Sequence, residues 1–243
     1  MKKIIGFFAG TILLVSCGKV NEFTNEFGTV LVLNASPSAA TAATTAMNVY
    51  IDTLIKTSAA LNFRGNSGYL AATIGPRTIQ TRPNNNARVN YVNLTNQQVD
   101  FNKATTLVVY DTLTSTSTTL RSVRLTDDLS LPATGQVKVR FLHLANNAPA
   151  VDITLLRTSA TTPDSVTLTN RTFIGATPNA AALSAFSGIP SGTYTIRVKL
   201  AGTQTVVLTP VAVNLSALNG IFTLYAAGTA AGQPLTANVI RHF

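Results

Sequence analysis

The chain is 243 residues long, 46% hydrophobic but only 11% charged, with a formal net charge of +9. That apolar content supplies packed cores and excludes a disordered chain, and the length suits two domains of about 100 residues each. The basic excess is scattered one residue at a time (Arg64, Arg77, Arg82, Arg88, Arg121, Arg124, Lys138, Arg140, Arg197, Lys199) with no charge block or basic–aromatic interleaving. These residues read as solvated strand faces, and no nucleic acid partner is expected.

The chain opens with Met1-Lys-Lys, an apolar run from Ile4 to Val15, Ser16 and then Cys17, its only cysteine. The apolar run is too short for a permanent membrane span and reads as a secretory signal. Leu14-Val15-Ser16-Cys17 resembles the lipobox of bacterial lipoproteins, in which the peptide before the cysteine is cut and the sulfur carries a diacylglycerol. The resemblance implies a signal peptide over 1–16 and lipid attachment at Cys17, with membrane lipid as partner through the acylated sulfur. Gly18 after the cysteine is compatible with outer-membrane sorting, facing either the periplasm or the medium. Lipidation also accounts for a lone thiol in an exported chain, and leaves the domains to be stabilised by burial without disulfides.

Residues 17–27 form a polar tether, after which strands begin. Thr29 to Asn34 is apolar and β-branched, and an Ala/Thr-rich loop follows Pro37. Met47 to Ile55 alternates, with Met47, Val49 and Ile51 on one face. Arg77 to Arg82 alternates before the break at Pro83-Asn-Asn-Asn86, and Thr105–Asp111 and Leu120–Leu125 close the first half. Leu131-Pro-Ala-Thr-Gly135 reads as a linker by its Pro and Gly. The pattern then restarts with Gln136–His143 and Ala150–Leu156. Gly188-Ile-Pro-Ser-Gly192 leads into Thr193–Leu200, whose strict alternation marks an antiparallel sheet with one wet face. Thr203–Leu208, Ile221–Tyr225 and Leu235–Phe243 complete the set, and no amphipathic helix is evident.

The halves read as copies. Val30–Pro37 answers Val139–Ala145, Asn48–Ile51 answers Asp152–Leu155, Leu107–Tyr110 answers Phe222–Tyr225, and Val123–Leu125 answers Val239–Arg241. The expected fold is therefore all-β, two tandem Ig-like antiparallel β-sandwich domains over 28–131 and 136–243, joined by 132–135. The second half resembles the Ig-like modules of Domain of Unknown Function family 4397, common in bacterial exported proteins. The resemblance rests on Val139-Arg-Phe-Leu-His143, Ala148–Ile153, Ile189-Pro-Ser-Gly-Thr-Tyr-Thr-Ile-Arg-Val198 and Phe222–Tyr225. The first half departs from it: Asn34 stands where the pattern has His143, and Ile74-Gly-Pro-Arg77 lacks the Pro-Ser-Gly-Thr-Tyr signature. The resemblance carries no catalytic residues with it.

Chemistry-bearing residues are few. His143 is in phase with Val137, Val139 and Phe141 and reads as a strand-end histidine bonded to a loop. No Gly-x-Ser-x-Gly elbow, zinc spacing or phosphate loop is present. Asp127-Asp128, the one adjacent acidic pair, reads as a solvated strand end beside Arg121 and Arg124, calcium being the less favoured alternative. No cofactor and no catalytic or metal residue is expected. Asp52-Thr53-Leu54, Asp111-Thr112-Leu113 and Asp164-Ser165-Val166 resemble the O-glycosylation sequon of exported proteins in Bacteroidetes-type bacteria, which implies Thr53, Thr112 and Ser165 as acceptors. The plainer reading is that Asp and Thr gather at turns. The expected function is a non-catalytic, lipid-anchored envelope module binding a glycan or protein, with contacts in loops Ser36–Ala46, Arg82–Arg88 and Ser159–Asp164. An envelope hydrolase or a structural stalk is the alternative.

Overall fold

The computed structural model describes residues 26–38, 45–84, 89–114, 119–158, 164–229 and 233–242. Eight strands form the first half: β1 (Phe27–Asn34), β2 (Met47–Ile51), β3 (Leu54–Ile55), β4 (Asn66–Thr73), β5 (Gly75–Pro83), β6 (Val92–Val99), β7 (Ala104–Tyr110) and β8 (Arg121–Asp127). Eight more form the second: β9 (Gln136–His143), β10 (Val151–Arg157), β11 (Ser165–Arg171), β12 (Ser187–Pro190), β13 (Gly192–Leu200), β14 (Val211–Leu215), β15 (Ile221–Ala227) and β16 (Thr236–Arg241). The sheets are ordered β4-β1-β7-β8 and β3-β2-β5-β6 in the first half, and β12-β9-β15-β16 and β11-β10-β13-β14 in the second. Each strand thus has its counterpart eight strands later, and the sequence repeat is a repeat of topology.

Two tandem β-sandwiches are what the alternating runs imply, with one amendment to the antiparallel pairing. β1 runs parallel to β7, and β9 runs parallel to β15. The register also places Leu31 opposite Thr106 and Arg140 opposite Thr223, so Thr106 and Thr223 are equivalent. This shifts the sequence alignment of the β7 and β15 segments by two residues, which keeps the same face outward. A single short helix, α1 (Ala180–Ser184), interrupts the β pattern among the described residues, and Asn179 caps it by accepting from the Ala182 amide.

Alternation sorts the apolar side chains into three cores rather than two. Val30, Val32, Leu107 and Val109 meet Met47, Val49, Ile51 and Ile79 inside the first sandwich. Val137, Val139, Phe222 and Leu224 meet Ile153, Leu155, Ile196 and Val198 inside the second. The opposite faces of the same central strands form the third: Leu31, Leu33, Val108, Tyr110 and Leu125 pack against Leu142, Leu144, Tyr225 and Ile240. β7 and β15 are consequently buried along their whole length. The two halves are therefore joined by a core as well as by the residues near Pro132. Contacts across it are reciprocal: the Tyr110 hydroxyl donates to the Gly175 carbonyl (2.9 Å), and the Tyr225 hydroxyl to the Arg64 carbonyl (3.0 Å).

Candidate functional site

Parallel pairing gives each sandwich two distinct ends, and contacts between the halves, Lys138 with Asp128 and Asn146 with Asp111, set like ends side by side. The chain enters at Glu26, beside the β6–β7 turn, where the Asn102 amide donates to the Phe27 carbonyl (3.0 Å). The far end is built from the residues that follow β1, β7, β9 and β15. Asn146 reaches Asp111 across it (2.7 Å), and the Ser38 amide donates to the Gln233 side chain (3.2 Å). A groove of about 640 Å³ opens at this far end, between Ala145–Pro149, Val207–Thr209, Gly228–Thr229 and Pro234–Leu235.

Beneath the groove lies a small apolar pit of about 70 Å³ that shares Ala148, Pro149, Val207, Leu208 and Leu235 with it and has His143 and Val151 in its wall. His143 is 3% exposed, in phase with the core of its own sandwich as its spacing implies. Its Nε2–H donates to the Pro149 carbonyl (3.1 Å), which leaves Nδ1 without a hydrogen-bond partner. Burial holds its pKa below the usual histidine value, so the imidazole is neutral. A buried imidazole already engaged with a loop carbonyl is not the exposed base that a hydrolase would require of it. Asn34, its counterpart, does the same tying job by different chemistry: its amide donates to the Thr45 and Leu61 carbonyls at 2.9 Å each. Among the described residues the groove lining carries asparagine and threonine side chains with aliphatic ones and no charged residue.

The acidic pair behaves otherwise than its sequence setting suggests. Asp128 is exposed and accepts from Lys138 Nζ (2.7 Å) and Ser130, contacts that lower its pKa to about 2. Asp127 is not solvated and does not pair with Arg121 or Arg124; those reach Asp111 (3.2 Å) and Thr105 (3.3 Å). It points inward, in phase with Val123 and Leu125, and lies 2.8 Å from Arg140 Nη2 with side chains 0% and 1% exposed. Arg140 likewise is no solvated strand residue, because its face of β9 is the one carrying Leu142 into the third core.

The hydrogen-bond directions around this pair can be assigned from their partners. Asp127 can only accept, so the Tyr69 hydroxyl donates to its Oδ2 (2.7 Å), as does Thr106 (2.7 Å). The Tyr69 oxygen then accepts from His242 Nδ1–H (2.7 Å), and the bare Nε2 accepts the Thr223 hydroxyl (2.7 Å). Thr223 in turn accepts from Arg140 Nε–H (2.8 Å), and Arg140 stacks on the Phe186 ring at 4.5 Å. A neutral histidine is required for this relay, and burial pushes His242 down to about 4. In the sequence His242 stands out only by its place in the last strand run, Leu235–Phe243. Tyr, Thr, His and Asp side chains meet here, but the cluster is enclosed between two sheets and its groups are occupied with one another. It holds the halves together.

Cys17 lies outside the described residues. Thr53 is exposed in the β2–β3 turn, Ser165 is exposed at the start of β11, and Thr112 is half-buried after β7. Their aspartates have structural work: Asp52 accepts from the Thr78 amide (3.0 Å) and pairs with Arg77 (3.3 Å), and Asp111 caps Thr112 (2.8 Å). Both adopt positive φ, at 57° and 80°. Among the described residues no group of three metal-ligating side chains occurs, and no helix is long and apolar enough to cross a membrane.

The profile of the family described as "Domain of unknown function (DUF4397)" matches residues 28–154, just over half of the chain. The chain belongs to the DUF4397 family. The match covers the first sandwich and reaches into β10 of the second, so the run Ile189–Val198, on which the resemblance of the second half partly rests, lies outside it. Comparison with curated proteins finds no match. Solved structures give distant likenesses. The Bacillus anthracis TIE protein is 11% identical with TM-score 0.26, covering 84% of this chain and 34% of its own. A leucine-rich repeat protein from Bacteroides thetaiotaomicron is 11% identical with TM-score 0.21, covering 86% and 26%. A candidate cell adhesion protein from Bacteroides uniformis is 6% identical with TM-score 0.25, covering 89% and 99%. The chain thus spans about a third and a quarter of the first two.

The Pro190-Ser-Gly-Thr-Tyr194 run of the second half has a physical reading. The Tyr194 hydroxyl donates to the Pro190 carbonyl four residues upstream (2.5 Å), closing the bend between β12 and β13. A Cβ at Gly192 would stand 2.7 Å from Arg157 Nε, so a larger residue there would displace the guanidinium that donates to the Ser191 carbonyl. In the first half, register places Arg77 at the equivalent position, and its guanidinium donates to the Ile74 (2.7 Å) and Thr73 (3.1 Å) carbonyls. The signature is absent there, but a side chain still bonds backward to close the bend.

Proposed function

We propose that this DUF4397 chain is a lipid-anchored envelope protein that presents a binding groove away from the membrane. The observation that carries the reading is the placement of the groove of Ala145–Pro149 and Val207–Thr209 at the end opposite to where the N-terminal chain enters. Acylation of Cys17 by the lipoprotein route places the entry end toward the bilayer, and the groove then faces outward. The ends of the loops Ser36–Ala46 and Arg82–Arg88 lie at this outer end, whereas Ser159–Asp164 joins the inner ends of β10 and β11.

The lining favours an uncharged ligand, since no charged side chain could offset the desolvation of an ion. It offers asparagine and threonine groups for hydrogen bonding and an apolar pit about the size of two waters in liquid. With no aromatic ring among the described residues of the groove lining to stack a sugar, a protein segment placing a small apolar side chain in the pit fits better than a glycan. Thr53 and Ser165, both exposed, remain open to glycan attachment, and intact mass of natively expressed protein checks this: a mass equal to the lipidated polypeptide removes the idea.

Two measurements test the main reading. Cys17→Ser shifts the protein from the membrane to the soluble or uncleaved precursor fraction, with the fold retained; unchanged membrane retention of a cleaved form overturns the anchor. Ala148→Trp fills the mouth of the pit. Crosslinking in intact envelopes, mapped by mass spectrometry, recovers a partner through positions 147 and 229 in the wild type but not in this variant. Equal recovery in both sinks the groove as the binding surface.

A further inference from the structure

We infer that the entry end of the double sandwich is itself a membrane-contacting surface, which seats the body of the protein upright on an uncharged lipid interface. This rests on the anchor reading above for its biological setting. Four large apolar side chains are exposed at that end: Phe27 (42%), Phe101 (61%), Leu131 (70%) and Leu218 (88%), the last two being the most exposed of their kind among the described residues.

Their common placement follows from register. Phe27 opens β1, and Phe101 precedes Asn102, whose amide donates to the Phe27 carbonyl. Ala104 pairs with Asp127, so the segment carrying Leu131 leaves β8 at the same level. Lys138 bonds back to Asp128 and Ser130 in that segment (2.7 Å each) and pairs with Ile221, which puts the turn bearing Leu218 there too. Because Thr106 and Thr223 are equivalent, Phe101 and Leu218 occupy the same position of the two repeats, each five residues earlier. Both halves therefore offer an apolar turn tip to the same side, flanking the residues near Leu131.

The occupant is argued from the chain itself. From Cys17 to Glu26 the tether reaches about 30 Å at full extension, so an acylated sulfur keeps this end within reach of the bilayer. Charge at this end is mixed in sign: Lys138 is paired with Asp128, Asp100 and Lys103 share the β6–β7 turn, and Arg241 lies opposite Phe222. Exposed apolar tips without a basic field suit shallow insertion into the interface, and a contact of this kind does not need anionic lipid. Seating the end in this way holds the groove at the opposite end outward, rather than leaving its direction to a loose tether.

The test replaces the acyl anchor, so that its outcome is independent of Cys17. A chain begun at Gly18 contains no cysteine and keeps every described strand and all three cores. It is recruited through an N-terminal histidine tag to phosphatidylcholine vesicles holding a nickel-chelating lipid. An environment-sensitive fluorophore is placed by Phe101→Cys, Leu218→Cys or, as a control on the exposed face of the outer edge strand β11, Thr169→Cys. The inference expects a blue shift and protection from iodide at 101 and 218 on recruitment, with 169 unchanged. It is overturned if 101 and 218 behave like 169. A shift at all three positions, or a shift at 101 and 218 that appears with concentration in the absence of vesicles, overturns it as well.

Discussion

At the scale of single residues, the pairing of Arg140 with Asp127 is the most consequential contact in the molecule, because both charges are withdrawn from water. Removing one partner leaves the other buried and uncompensated, which typically costs about 3–5 kcal/mol. Asp127→Asn is expected to lower the unfolding free energy measured in urea by an amount in that range, and Arg140→Met with Asp127→Leu to recover part of the loss. If the single and double variants unfold at the wild-type midpoint, the pair contributes nothing and the relay around it is misassigned. His242 adds a pH dependence of definite sign. Its folded pKa near 4 lies below the unfolded value near 6.5, so the unfolded chain binds more protons between those limits. Stability is full above pH 6.5 and falls by up to about 3 kcal/mol as the pH drops to 4. His143, also shifted downward by burial, adds in the same direction. Thermal melts from pH 7 to 4 should show this slope, and His242→Asn should flatten it.

At the scale of elements, the alternating strands were legible face by face, and the unbroken ones were legible as strands but not for what covers their second face. Thr193–Leu200 alternates and lies as read, with Tyr194, Ile196 and Val198 in one core. Thr29–Asn34 and Ile221–Tyr225 are apolar at nearly every position, which is the pattern of strands buried on both faces. That pattern, rather than any motif, was the available signal for a covered second face, and it also carries Arg140 and Asp127 inward. The bend before β13 was legible as a motif but not as a mechanism. Tyr194→Phe removes the bond to the Pro190 carbonyl and is expected to cost about 1 kcal/mol in chemical denaturation. Arg77→Met, which strips the corresponding bonds from the first half, is expected to cost a similar amount; no change in either would mean that the bends close without these bonds.

At the scale of the whole molecule, the third core makes each half depend on the other. A chain restricted to residues 136–243 would expose Leu142, Leu144, Tyr225 and Ile240 and leave Arg140 without its carboxylate. It is expected to self-associate in light scattering and to lose cooperative unfolding, while the chain from Gly18 melts in one transition. A monomeric, cooperatively folded half would show that the third core is dispensable. The sequence alone determined the β class, the repeat and the DUF4397 resemblance, because alternation, turn residues and motif spacing are local properties of the chain. It also carried the reading of Cys17. The facing of the two sandwiches, the burial of Asp127, Arg140 and His242, and the division of the molecule into an entry end and a groove end were decided only in three dimensions. Each depends on residues far apart in sequence meeting across a sheet face, and periodicity within one strand says that a face is apolar without saying what covers it.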